Sequence, residues 1–183
     1  MLSTTLILTG FMASGKSRVA RLLAEQYQTQ LIDLDQRLVE KLGDSISQVF
    51  RVHGEKYFRE QETETLQQTL EECAASPAII STGGGIVTQE VNRAMLEAAS
   101  QHGMHVIYLR ASPQTLAKRI RRDPGTRPLI DGEKVLNLEE TVERVKVLLE
   151  ARRAFYESCA DIIIDTDCLS LAEVVEKITA TVK

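Results

Sequence analysis

Short apolar runs alternate along the chain with longer segments of helical periodicity. The runs are four or five residues long and rich in β-branched side chains, which is typical of strands buried on both faces of a parallel sheet. They cover residues 6–9, 31–35, 78–82, 105–109 and 161–165. Between them, apolar side chains recur every three to four residues, as on helices with one buried face. The pattern therefore predicts strands and helices in strict alternation.

Six helical segments are predicted, and one of them is interrupted. They lie at about residues 18–25, 36–73, 92–99, 114–121 and 138–158, and from 171 onward. We expect breaks at Gly43 and near Gly54, and Pro113 close to the start of its helix. Strands alternating with helices predict a three-layer α/β/α fold around a central five-stranded parallel sheet. Because 183 residues contain no repeat or linker, we expect one domain spanning 1–183.

Composition narrows the classes of partner. Lys and Arg total 22 and Asp and Glu total 26, a formal net charge of −4, which argues against a general nucleic-acid binder. No apolar run approaches the roughly 18–20 residues of a membrane helix. The three cysteines have no metal-type spacing, and no basic stretch precedes the first apolar run. We expect a cytoplasmic monomer with no nucleic-acid or membrane partner.

The segment GFMASGKS at residues 10–17 matches the phosphate-loop pattern G-x-x-x-x-G-K-[ST] in full. It follows a predicted strand and opens a helix, so backbone N–H groups and the helix N-terminus can face a phosphate. An ordinary connection would match by chance in about one such chain in a hundred. The predicted nucleotide-binding residues here are Ala13, Ser14, Gly15, Lys16, Ser17 and Arg18. Because Ala13 carries a Cβ, we expect it to avoid a positive φ.

Two carboxylates close the second predicted strand. Side chains two apart in a strand share a face, so Asp33 and Asp35 can point into one cleft at the ligand-binding edge of the sheet. One could reach Mg²⁺ through water while the other orients a substrate hydroxyl. The alternative is a solvated acidic turn that leads into a helix N-terminus.

Three consecutive glycines, Gly83, Gly84 and Gly85, follow the third predicted strand. Their conformational entropy is costly, so bare backbone pressed against a ligand would explain them, with a flexible turn as the alternative. Three arginines are further candidates for the site: Arg59, Arg127 and Arg152, each next to apolar residues in the sequence. The alternative for each is an ordinary surface charge, which is the usual role of a single arginine.

Taken together, these segments resemble the shikimate kinases, of the nucleoside-monophosphate-kinase-like branch of phosphate-loop proteins. The matching stretches are residues 10–17, 32–35, 54–62, 81–85, 92–93, 127–130 and 152–156, in the family's order. The resemblance implies a P-loop kinase fold with a substrate-binding helical region at about 33–61 and a lid at about 122–134. It also implies that ATP phosphorylates the 3-hydroxyl of shikimate, in the biosynthesis of chorismate and the aromatic amino acids.

The resemblance also assigns roles. Positions matching Asp35, Arg59, the three glycines and Arg152 hold shikimate, with Arg153 as the alternative to Arg152. Positions matching Lys16 and Arg127 contact the ATP phosphates, and Lys16, Asp35 and Arg127 are the implied catalytic set. Ser17 matches a Mg²⁺ ligand, and Asp33 matches an acid that reaches Mg²⁺ through water. An adenine-contacting arginine is assigned to Arg122, with Arg119 and Arg121 left open.

Two other functions stay open from the sequence. A gluconate-type small-molecule kinase shares the phosphate loop, but it would not explain Phe58-Arg59 together with the triple glycine and Arg127-Pro128-Leu129. A catalytically silent shikimate-binding regulator would be favoured by loss of Lys16, Asp35 or Arg127, and the sequence retains all three.

Overall fold

The computed structural model describes residues 2–122 and 136–182. Its strands form one parallel sheet in the order β2-β3-β1-β4-β5. The strands are β1 (Leu6–Thr9), β2 (Leu31–Asp33), β3 (Ile79–Ser81), β4 (His105–Arg110) and β5 (Ile162–Asp165). The predicted five-stranded parallel sheet is therefore confirmed, with the phosphate loop following its central strand.

Helices connect the strands and cover both faces of the sheet. They are α1 (Lys16–Tyr27), α2 (Leu34–Leu42), α3 (Ile46–Ala75), α4 (Glu90–Gln101), α5 (Pro113–Arg122), α6 (Leu138–Ser158) and α7 (Leu171–Thr181), with a 3₁₀ turn at Ile86–Thr88. Capping boxes start α6, through Asn137 and Glu140, and α7, through Ser170 and Glu173. No helix within the described residues is both long and apolar enough to cross a membrane.

Two apolar layers enclose the sheet. Alternate residues of a strand point to opposite faces, so Leu6 and Leu8 pack on one side, with α1 and α7. Ile7 packs on the other side, in the larger cluster that includes Leu116 of α5 and Val145 of α6. Burial on both faces explains why the strands read as continuous apolar runs, and it confirms the three-layer architecture.

The segment between β2 and β3 bends at the two predicted glycines. Gly43 ends α2 with φ 71°, and Gly54 interrupts α3 with φ 81° and ψ 171°, a conformation that only glycine adopts readily. The bend brings Val49 and Phe58, on the two halves of α3, against Leu38 of α2. We call these three residues the third apolar cluster, and it is separate from the two layers on the sheet.

The second strand is shorter than the sequence predicted. It ends at Asp33, and Leu34 begins α2, so Asp35 lies in the first helical turn. The Asp33 carboxylate caps α2 by accepting hydrogen bonds from the backbone N–H groups of Asp35 (3.1 Å) and Gln36 (3.3 Å). The shared-face argument for the two acids is therefore wrong, and the helix N-terminus alternative describes the local backbone correctly.

Candidate active site

The phosphate loop folds tightly between β1 and α1. Gly10 and Gly15 have φ values of 146° and 105°, and a Cβ on Gly10 would lie 2.7 Å from the Leu109 carbonyl oxygen. The ammonium group of Lys16 donates to the carbonyl oxygens of Gly10 (2.7 Å) and Phe11 (3.0 Å). Such a loop, with a helix N-terminus behind it, is suited to binding phosphate.

Burial lowers the pKa of Lys16 to about 8, while the carboxylates of Asp35 and Asp33 act in the opposite direction. An anion that replaces the two loop carbonyls as the partner of the ammonium would raise this pKa again. Above about pH 8, where part of the lysine is neutral, phosphate binding should therefore be accompanied by proton uptake.

Ala13 corrects one expectation from the sequence. Its φ is 60°, in the left-handed region, where a residue other than glycine costs about 1–2 kcal/mol. Ala13 is the third residue of a turn that a hydrogen bond from the Ser14 N–H to the Phe11 carbonyl closes at 3.1 Å, and a type II turn has its positive φ at this position. The loop thus imposes its curvature on a residue that has a Cβ.

A cavity of about 730 Å³ opens over the phosphate loop, within the range of small-molecule sites. Its lining includes residues 13–18, all of which were predicted to bind nucleotide, together with Arg119 and Arg122 but not Arg121. The Arg119 guanidinium donates to the carbonyl oxygens of Ser14 (3.0 Å) and Thr166 (3.1 Å). Arg122, to which the adenine contact was assigned, therefore lies at this cavity, and Arg119, one of the two alternatives, lies there too.

Oxygen ligands meet at the edge of this cavity. The Ser17 hydroxyl donates to the Asp33 carboxylate at 3.1 Å and lies 3.3 Å from the Ser81 hydroxyl. Within residues 2–122 and 136–182, no cluster of three or more His, Cys, Asp or Glu side chains could hold a metal ion. A hydroxyl with one carboxylate fits Mg²⁺, because that ion keeps several waters and takes further oxygens from phosphates.

On the other side of the loop, the triple glycine makes room for charged side chains. A Cβ on Gly83 would lie 2.8 Å from Oδ1 of Asp35 and 2.9 Å from Oε1 of Glu62, and one on Gly85 would lie 2.8 Å from Cζ of Arg59. None of residues 83–85 has a positive φ. Close contact therefore explains the glycines better than a flexible turn does: Gly83 and Gly85 pack against side chains, and Gly84 packs against the backbone of Met12.

Arg59 and Glu62 form a buried ion pair one helical turn apart on α3. Arg59 is 7% exposed and Glu62 is 2% exposed, and Nη1 of Arg59 donates to Oε2 of Glu62 at 2.6 Å. The guanidinium also donates to the Glu55 carboxylate, at 3.2 Å from Nη2. Burial alone would lower the pKa of Arg59, but the carboxylates of Glu62 and Glu55 raise it. The arginine therefore remains charged although it is largely buried.

Asp35 faces the same pocket from the first turn of α2. Burial raises the pKa of its carboxyl group, and the nearby Asp33 carboxylate raises it further, while Lys16 and Arg59 oppose the shift. Burial likewise raises the pKa of Glu62, against the influence of Arg59. A carboxylate with a raised pKa beside a cation is suited to accepting a proton from a hydroxyl group.

Arg152 reaches this pocket from α6. Its Nη1 lies 3.4 Å from the Gly84 carbonyl oxygen, and its guanidinium lies 5.9 Å from the centre of the Phe11 ring. Arg153 is exposed and pairs with Glu150 on its own helix. Of the two alternatives left by the sequence, Arg152 is the one that stands beside the triple glycine.

Two further predictions concern residues that the structure does not describe. Arg127, and the predicted lid beyond its first residue, fall outside the described residues. Sequence reasoning also missed Glu62 and Tyr156, whose phenol donates to the Gly84 carbonyl at 2.5 Å. A usable signal existed for Glu62, because a residue three positions after Arg59 shares its helix face. The same applies to Tyr156, because a residue four positions after Arg152 shares its face of the helix.

The amino-acid sequence is similar to those of known proteins along nearly its whole length. Residues 12–183 match the sequence profile of the family described as shikimate kinase. The shikimate kinase of Enterococcus faecalis is 38% identical over 179 residues, covering 98% of both chains. That of Alkaliphilus oremlandii is 35% identical over 177 residues, covering 97% of this chain and 98% of its own.

Solved structures give the same result. The shikimate kinase of Acinetobacter baumannii in complex with shikimate superposes with a TM-score of 0.83 at 29% identity, covering 98% of this chain and 92% of its own. A gluconokinase from Sinorhizobium meliloti superposes with a TM-score of 0.57 at 18% identity, covering 98% of this chain and 91% of its own. At this identity the similarity shows a shared fold and nothing more. Since the family profile and both sequence relatives span nearly the whole chain, the protein belongs to the shikimate kinase family.

Proposed function

We propose that the protein transfers the γ-phosphoryl group of ATP to the 3-hydroxyl of shikimate, giving shikimate 3-phosphate and ADP. The observation that carries this proposal is the placement of Asp35, Arg59 and Arg152 around the triple glycine, directly beside the phosphate loop. Family membership supports it, as does the Acinetobacter baumannii relative, whose structure contains shikimate. The sheet thus carries a phosphate site and an acceptor site along one edge.

Arg59 and Arg152 suit the carboxylate of the acceptor. Guanidinium groups bind carboxylates through paired N–H donors, and the low exposure of Arg59 would strengthen such a contact. Arg59 is held in place by Glu62 and Glu55, so its orientation is fixed before the substrate binds. The three glycines, Gly83, Gly84 and Gly85, would let the ring of shikimate approach the backbone closely.

Asp35 would act on the reacting hydroxyl. It would accept a hydrogen bond from the 3-hydroxyl and take its proton as the oxygen bonds to the γ-phosphorus. The bond between that phosphorus and the β,γ-bridging oxygen breaks, and ADP leaves with its electron pair. Lys16 would neutralise charge on the moving phosphoryl group. We assign Arg127 the same task from the lid at about residues 122–134.

The nucleotide would occupy the cavity over the phosphate loop, with residues 13–18 around its phosphates and Arg122 and Arg119 along its wall. Ser17, and Asp33 through water, would hold Mg²⁺, since a hydroxyl and a carboxylate 3.1 Å apart supply the oxygen ligands it prefers. When bound, the ion offsets the negative charge of the ATP phosphates.

We also propose that residues 1–183 form one domain with a substrate-binding region at about 33–61, acting as a cytoplasmic monomer. One domain is supported by the sheet, because β5 lies after the long helix α6 and yet pairs with β4. The substrate-binding region is supported by the third apolar cluster, which joins α2 to α3.

A coupled ADP-release assay with shikimate, gluconate or no acceptor tests the function. We expect ATP turnover that depends on shikimate, with gluconate close to the rate without acceptor. Turnover with gluconate would favour the sugar-acid kinase alternative. Binding of shikimate without turnover would favour the silent regulator.

A further inference from the structure

The backbone of Gly84 is a junction between three parts of the site. A Cβ on this residue would lie 3.0 Å from the Met12 backbone nitrogen, so Gly84 packs directly on the phosphate loop. Its carbonyl oxygen faces α6, where the Tyr156 phenol donates at 2.5 Å and Nη1 of Arg152 lies at 3.4 Å. The carbonyl oxygen of Gly84 therefore accepts one short and one long hydrogen bond, both from side chains of α6.

The two contacts differ in strength. Hydrogen bonds between a hydroxyl and a carbonyl have their best distances near 2.7–2.8 Å, and N–H donors weaken beyond about 3.2 Å. The phenol is thus the principal donor to Gly84, and Arg152 makes only a marginal contact. Since Arg152 and Tyr156 are four residues apart, they share a face of α6, and both donate to the same carbonyl oxygen, the phenol strongly and the guanidinium weakly.

The phenol is fixed in this role. Tyr156 is fully buried, and its ring stacks on Tyr108 with 4.8 Å between centroids and 11° between planes. Burial raises the pKa of the phenol well above its usual range, so it stays a donor at neutral pH. The neighbouring residue Phe155 lies under the guanidinium of Arg93, which donates to the carbonyl oxygen of Val87 at 2.8 Å. The end of α6 is therefore fastened to the loop after β3 at two points.

We propose that Tyr156 is a positioning residue for the acceptor: because its phenol makes the strong hydrogen bond to the Gly84 carbonyl, the Arg152 guanidinium can give up its weak contact there and bind the shikimate carboxylate. Without the phenol, this half-buried carbonyl would need a new principal donor, and Arg152 already lies beside it. The guanidinium would then turn toward the protein backbone and away from the substrate. This inference rests on the proposed function, since it concerns the same acceptor site.

The test is Tyr156→Phe, with Tyr108→Phe as the matched control, because the control removes a phenol from the same stacked pair without touching Gly84. We expect Tyr156→Phe to raise the KM for shikimate about tenfold, the equivalent of about 1.4 kcal/mol. We expect the KM for ATP to stay within about twofold in both variants, and the KM for shikimate to do so in the control. Thermal unfolding checks that both variants fold.

A double variant separates positioning from general loosening. If the phenol acts through Arg152, adding Tyr156→Phe to Arg152→Ala should change the dissociation constant for shikimate by less than about twofold, measured by ligand-detected NMR. Tyr156→4-aminophenylalanine, which restores a donor on the same ring, should bring the KM for shikimate back toward wild type. Equal effects on both substrates, additivity in the double variant or no rescue would each overturn the proposal. A wild-type protein that does not phosphorylate shikimate would instead overturn the proposed function.

Discussion

Gly83 lies where the smallest added side chain would meet two carboxylates. Ordinary van der Waals contact begins at 3.4 Å, whereas a Cβ here would stand 2.8 Å from Asp35 and 2.9 Å from Glu62. In Gly83→Ala each oxygen must therefore move by about half an ångström, and Glu62 resists because Arg59 holds it in a buried pair. Asp35 is freer to move, so the displacement falls mainly on the group proposed to accept the proton.

A misplacement of about 1 Å at a reacting group costs about 100-fold in rate, so we expect Gly83→Ala to lower kcat by about 10- to 100-fold. The KM for ATP should stay near wild type, because the glycine does not touch the nucleotide cavity. Gly85→Ala is the matched control: its Cβ would meet Arg59, so it should raise the KM for shikimate more than it lowers kcat. Both quantities come from the ADP-release assay at varied shikimate and ATP. A normal kcat in folded Gly83→Ala would refute this placement of Asp35.

Three further predictions concern charged groups of the site. Asp35→Asn should suppress turnover while calorimetry still detects ATP binding, and near-normal turnover would exclude Asp35 as the proton acceptor. Arg152→Ala should weaken shikimate binding by about 2–5 kcal/mol, whereas Arg153→Ala should leave it unchanged; the reverse result would assign the carboxylate to Arg153. Because the pKa of Lys16 is about 8 in the free protein and phosphates raise it, ATP binding at about pH 8.5 should take up a proton. Calorimetry in buffers of different ionisation enthalpy measures that uptake, which should shrink at about pH 6.5 and disappear in Lys16→Met.

Much of the fold was available from the sequence because the three inner strands, β1, β3 and β4, are buried on both faces. Such strands are mostly apolar, and their short runs stand out between helices of regular period. The boundary at Asp33 was missed because a strand end and a helix cap favour the same residue type there. Only the position of the backbone N–H groups of α2 distinguishes the two, and that position depends on packing against the rest of the sheet.

The site was harder to predict where contacts join distant segments. The sequence marked the triple glycine as a place of close approach, but it could not show that Asp35, Arg59 and Glu62 of α2 and α3 and the backbone of Met12 lie beside it. The ambiguity among the arginines of α5 was partly solvable, since Arg119 and Arg122 are three apart on a helix and Arg121 is not on their face. The conformation of Ala13 was not solvable in this way, because the loop's closure overrides the local preference of one residue.

The third apolar cluster has a consequence for how substrate specificity can change in enzymes of this fold. Leu38, Val49 and Phe58 stabilise α2 and the bend of α3 through contacts that do not include the residues under the phosphate loop. Substitutions in this cluster can therefore shift the part of α3 that carries Arg59, while the apolar layer that packs against α1, the helix of Lys16, is unchanged. Selection can act on acceptor choice in one part of the molecule and on phosphoryl transfer in another, so new substrates can arise without rebuilding the nucleotide half.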